Sequence, residues 1–84
     1  MNQRVLIEKN YLRIPIRKDA VEKNVWLYQE LTAVLQFQAG LFVDYGSGTP
    51  DFYAELPVER WKGSVLTIVH EEDRPVQFLQ SDEL

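Results

Sequence analysis

The chain has 84 residues, 45% hydrophobic and 12% aromatic, with no cysteine and a net charge of -4 at neutral pH. One domain of this size buries about 60–65% of the surface its unfolded chain exposes, and this apolar content is too high for a disordered segment. The acidic balance opposes nucleic-acid or anionic-membrane binding, and the lack of cysteine excludes a disulfide framework, a thiolate metal site and a cysteine nucleophile.

Residues 4–8 are apolar and β-branched at their centre and predict a first strand. Residues 10–17 alternate cleanly, with Leu12, Ile14 and Ile16 on one side and Tyr11, Arg13, Pro15 and Arg17 on the other. That pattern is a half-buried strand, with Pro15 on its solvent face or at an edge, because proline cannot donate to a ladder. Residues 19–23 are mostly charged and read as a loop. Val25 and Leu27 then oppose Trp26 and Tyr28 in another strand.

Residues 30–38 carry two signals. Leu31, Val34 and Leu35 have helical spacing, whereas Val34, Gln36 and Gln38 alternate with Leu35, Phe37 and Ala39. Length and neighbouring strands favour a strand here. Gly40 marks a bulge or turn before Leu41-Phe42-Val43 extends again, and Gly46 and Gly48 are free to take left-handed conformations in the next loop.

The stretch from Thr49 to Gly63 is the best-punctuated part of the chain. Pro50 and Asp51 start a strand in which Phe52, Ala54 and Leu56 share one face and Tyr53 and Glu55 the other. Pro57 stops that strand or sits at its edge. Val58 and Trp61 are spaced for one short helical turn or corner, and Gly63 offers a positive φ before the next strand. There Val65, Thr67 and Val69 oppose Leu66, Ile68 and His70. Residues 71–75 form a charged break, and residues 76–79 are a short last strand or a lead into a further segment of chain. Six or seven short strands with turn signals between most of them predict an all-β fold, a small antiparallel β-sandwich spanning residues 1–84 as one domain.

No apolar run is long enough for a membrane helix. The start, Met1-Asn2-Gln3-Arg4, runs straight into an alternating segment rather than a signal peptide. Ser81-Asp82-Glu83-Leu84 resembles an endoplasmic-reticulum retrieval tail, but such a tail needs a secretory signal. A chain cut at a domain boundary explains the ending better.

The chemistry-bearing residues do not assemble into a catalytic set by spacing. His70 is the only histidine, and Glu71 beside it points to the opposite face of a strand, so no metal site or cofactor is expected. Asp44, Asp51 and Glu55 are the acids nearest the aromatic cluster. Asp51 and Glu55 would lie about 13 Å apart along one strand, too far for a retaining carboxylate pair, and Asp51 reads as a turn former. The aromatics leave a choice open. Trp26, Tyr45, Tyr53 and Trp61 form a carbohydrate platform if they face solvent, since sugars stack their C–H faces on such rings. If buried, they fill the core or the corners.

The order of three stretches resembles a known domain. Asn10-Tyr11-Leu12-Arg13-Ile14-Pro15-Ile16 is similar to the Y-L-N-L-P-V strand that opens the small N-terminal β-sandwich of bacterial levanase-like enzymes, in glycoside hydrolase family 32. Thr49-Pro50-Asp51-Phe52-Tyr53-Ala54-Glu55-Leu56 resembles that domain's P-D-F-W strand. Arg60-Trp61-Lys62-Gly63 with Leu66-Thr67-Ile68 resembles its F-K-G and L-T-I corner and strand, and residues 80–84 look like the segment before the catalytic propeller. Tyr53 stands where Trp is usual, Trp61 where Phe is usual and Pro57 where Asp is common, and residues 30–43 match poorly.

The resemblance implies a non-catalytic accessory domain of a fructan- or sucrose-hydrolysing enzyme. Its partner would be the downstream catalytic β-propeller of the same polypeptide, with fructan polysaccharide as a further partner. The family's N-D-P-N-G, R-D-P and E-C motifs do not occur in this chain, so no catalytic residue is carried over. An extracellular or cell-surface location in a bacterium is implied by the polymeric substrate.

Overall fold

The structure, a computed structural model, describes residues 1–84. Seven strands are present: β1 (Asn2–Leu6), β2 (Tyr11–Ile16), β3 (Lys23–Gln29), β4 (Thr32–Ala39), β5 (Phe52–Pro57), β6 (Val65–Val69) and β7 (Leu79–Ser81), with one 3-10 turn over Glu59–Trp61. They form two antiparallel sheets, ordered β1-β6-β3-β4 and β5-β2-β7. The expected all-β fold with antiparallel pairing is therefore found.

The core lies between the sheets. Ile7, Val25, Leu27, Leu66 and Ile68 come from the large sheet and its edges, and Leu12 and Ile14 from the small one. Leu41 and Val43 cross from one sheet to the other and are buried on the way, with Leu41 bridging Ile16. Val58, fully buried, plugs the corner after Pro57. Its N–H donates to Asn10 O at 2.8 Å and its carbonyl accepts from Trp61 N at 2.9 Å, so the corner is the single turn that the Val58/Trp61 spacing predicts. Gly63 takes φ 84° at the release, as the sequence requires.

The dual signal of residues 30–38 has a physical origin. The segment is strand β4, paired to β3 in a hairpin turning through Glu30-Leu31. The register slips between Leu27↔Leu35 and Tyr28↔Ala33, leaving Val34 as an extra bulge residue. The bulge makes the adjacent Val34 and Leu35 both half-buried, which imitates helical spacing.

Three expectations need correction. Pro15 is on neither the solvent face nor an exposed edge: it is buried, in the central strand of the small sheet. Its carbonyl accepts from Phe42 N, so its missing N–H points to the same side, beyond the place where β7 ends opposite Arg13. No bond of the β2–β7 ladder is lost there; only the return bond to Phe42 of the crossover is missing. The last strand is Leu79–Ser81 rather than residues 76–79, because the backbone of Val76 bonds to the side chain of Gln3 instead of to a strand. The first strand lies two residues earlier than expected, Asn2–Leu6, which leaves Leu6 on the outer face and Ile7 in the core. Phe52 has the expected phase opposite Ile16 but stays 46% exposed, since it begins an outer strand of the small sheet.

Candidate functional site: an open sheet face

Each acid near the aromatics is tied into local structure. Asp44 Oδ1 accepts from Gly46 N at 2.7 Å, closing its own turn. Asp51 Oδ2 accepts from Lys18 N at 2.7 Å, and Asp51 N donates to Ile16 O, so Asp51 fastens two loops together. Glu55 lies 3.3 Å from Arg13 Nε across the β2–β5 pair. No group of three or more histidines and acids is placed to hold a metal ion.

His70 is a structural residue. It is 3% exposed and continues the inward phase of Leu66 and Ile68. Its Nδ1 accepts from Glu72 N at 3.1 Å, which leaves the proton on Nε2 to be donated to Gln3 Oε1. Burial holds its pKa below the usual histidine value, and the charged N-terminus adds to the shift; Glu72 opposes it.

The four aromatics singled out by sequence fall in four different places. Tyr53 is on the outer face of the small sheet, Tyr45 in the loop after Val43, Trp61 in the corner turn and Trp26 on the outer face of the large sheet. They do not make one platform. A second difference separates them. The Arg13 guanidinium sits 4.8 Å over the Tyr53 ring, Arg60 5.3 Å over Trp61 and Arg74 4.8 Å over Tyr45. The Tyr45 hydroxyl also donates to Asp73 at 2.8 Å, and that bond to a carboxylate is the main reason its phenol pKa is raised. These rings already have a cation on one face. Trp26 has none.

Trp26 instead has an aromatic companion. Alternation along β3 puts Asn24, Trp26 and Tyr28 on the outer face, with the Trp26 and Tyr28 ring centroids 6.5 Å apart and their planes tilted by 36°. Register brings Gln38 opposite Asn24 and Gln36 opposite Trp26. Asn24 Oδ1 accepts from Gln36 Nε2 at 3.0 Å and Gln38 Nε2 at 3.3 Å, tying three amides into a ladder beside the indole. On the other flank, β6 presents Val69 opposite Trp26 and Thr67 opposite Tyr28. A shallow hollow of about 310 Å³ runs from Tyr28 over Thr67 and Val69 to Asn2 and Glu30. The sequence pairs Trp26 with Tyr28 by alternation. It does not reveal the amides as their neighbours, because that depends on the β3–β4 register.

Compared with protein-family models, with curated proteins and with solved structures, the chain matches none.

Proposed function

We propose that this chain is a non-catalytic accessory domain of a fructan- or sucrose-hydrolysing glycoside hydrolase, packed on a catalytic β-propeller of the same polypeptide. The observation that carries this reading is where the resembling stretches lie. Residues 10–16 and 49–56 supply β2 and β5, which pair in register from Tyr11↔Pro57 to Ile16↔Phe52. Gln80 fastens the β1–β2 turn: its Oε1 accepts from Glu8 N at 2.8 Å and Lys9 N at 3.1 Å, and its Nε2 donates to Leu6 O at 2.9 Å. The corner closes the same end, with Gly63 N donating to Ile7 O at 2.8 Å and Lys62 Nζ lying 3.9 Å from Asp82. Stretches far apart in sequence thus form one continuous body. The poorly matching residues 30–43 are the outermost strand of the other sheet and its crossover.

The three acids support the non-catalytic part, since each is held in a turn, a loop tie or an ion pair. Such an enzyme meets its polymer outside the cell or at its surface. The test is direct. The 84-residue chain alone is expected to release no reducing sugar from levan, inulin or sucrose. Mixed with the separately expressed propeller, it is expected to sediment as a one-to-one complex. Hydrolysis by the chain alone, or two species sedimenting independently, would overturn the reading.

A further inference from the structure

The geometry points to a binding site for a single chain of a neutral saccharide on the outer face of the large sheet, centred on Trp26 and Tyr28. Sugar recognition needs an aromatic ring with a bare face, for the C–H side of a pyranose or furanose, and neutral donors and acceptors beside it for the hydroxyls. Of the four aromatics that the sequence singles out, Tyr45, Tyr53 and Trp61 each have one ring face under a guanidinium, and Trp26 does not. The rotation of a side-chain amide makes it donor or acceptor, and three amides stand in one ladder beside the indole. With Asn24 Oδ1 taken by both glutamines, the Asn24 amide hydrogens and the two glutamine carbonyls are left for a ligand.

Charge selects the ligand class. The rows around Trp26 carry Asn2, Val69 and Gln36 on one rung and Asn24 and Gln38 on the next, none of them ionisable. Arg4, opposite Thr67 on the Tyr28 rung, is the one cation these rows carry, and Glu30 lines the hollow; so sparsely basic a face, on a chain of net charge -4, is unsuited to nucleic acid or to an acidic polysaccharide. Shape selects further. Two rings tilted by 36° cannot both lie flush on a flat crystalline polymer, but they can track consecutive rings of a chain that turns. The hollow beside Tyr28, about 310 Å³, offers Thr67 and Asn2 to the next unit. Its size is at the low end of ligand sites, about 300–1,000 Å³.

The experiment is an amide chemical-shift titration of the intact chain with soluble fructo-, malto- and xylo-oligosaccharides, with crystalline cellulose and polygalacturonate in pull-down arms. Shifts are expected at Asn24, Trp26, Tyr28, Gln36 and Gln38 with at least one neutral oligosaccharide, and no retention on cellulose or polygalacturonate. Trp26→Ala is expected to weaken binding by about ten-fold or more while the shifts of the core residues stay in place. Since Trp26 is outward-facing, this variant should keep its fold; Gln36→Ala, which removes the amide with its methylene, is the second probe and should weaken binding without touching the ring. Binding at this face by malto- or xylo-oligosaccharides but not by fructans supports the saccharide site and overturns the fructan reading above. A flat titration at millimolar concentration of every neutral sugar overturns the saccharide site and leaves propeller docking to its own test. Full affinity in both variants, or capture by crystalline cellulose, also overturns the inference.

Discussion

Replacing Gln3 by alanine tests how the segment after β6 is held. Gln3 Oε1 accepts from Val76 N at 2.8 Å and from His70 Nε2, and Gln3 Nε2 donates to Val76 O at 2.9 Å. One side chain thus ties β1 to the end of β6 and to residue 76, which is itself in the core. A net hydrogen bond contributes about 0.5–1.5 kcal/mol, and a buried group left without a partner costs about 1–3 kcal/mol. Truncation removes three such bonds and strands the Val76 amide, so a loss of about 3 kcal/mol is expected. A domain of this length is stable by only about 4–13 kcal/mol. The urea midpoint, monitored by tryptophan fluorescence, should fall by about 2–3 M for an m-value near 1 kcal/mol/M. A loss below about 0.5 kcal/mol would refute the reasoning, because it would mean water replaces these bonds without cost. Gln3→Glu separates hydrogen bonding from packing. The carboxylate still accepts from Val76 N and His70 but faces Val76 O without a proton to donate. It should raise the His70 pKa, read from a proton spectrum in which His70 is the only histidine.

His70 gives the chain a pH response of known sign. Its pKa is lowered in the fold, chiefly by burial, so between that value and the ordinary one near 6.5 the unfolded chain binds the proton and the native chain does not. The stability that depends on neutral His70 is fully present above about pH 6.5 and is lost as pH falls toward the native pKa. The urea midpoint should therefore drop from about pH 7.5 to about pH 5, and His70→Gln should flatten that dependence; an unchanged slope would sink the assignment. Two glycines should fail for different reasons when changed to alanine. At Gly63 a Cβ meets nothing within 4 Å, so only the φ of 84° costs, about 1 kcal/mol. At Gly40 the Cβ would lie 2.8 Å from Ala20 O and 3.0 Å from Arg17 O, so Gly40→Ala should destabilise by more than Gly63→Ala in the same urea assay.

Strand phases were legible because a period of two survives in single segments. Leu12 and Ile14, Val25 and Leu27, and Leu66 and Ile68 all point inward as their alternation requires. The turn chemistry of residues 49–63 was legible for the same reason, since Pro50, Pro57 and Gly63 act locally. What the sequence concealed depends on pairing. Pro15 reads as an edge residue until the shortness of β7 is known, and Val76 reads as strand until Gln3 is found beside it. The candidate site was half legible: Trp26 is one of four aromatics the sequence singles out, but the amides that flank it belong to the next strand, and the arginines that cap Tyr45, Tyr53 and Trp61 come from chemistry no spacing rule encodes.

The outermost strand of the large sheet has a consequence for how the molecule behaves among its own kind. From Leu31 to Val43 there is no ionisable side chain, and β4 occupies eight of those positions with one row of backbone groups turned away from β3. Proteins usually protect such a row with lysine or proline, and here neither is present. The bulge at Val34 protects it instead, by twisting the ladder out of the flat geometry another chain would need. Colloidal stability therefore rests on a single extra residue and on mutual repulsion between acidic molecules, which salt screens beyond about 10 Å at 0.1 M. Deleting Val34 would remove a half-buried side chain that packs against the core and flatten the ladder, leaving the outer row of β4 open as a template for sheet growth.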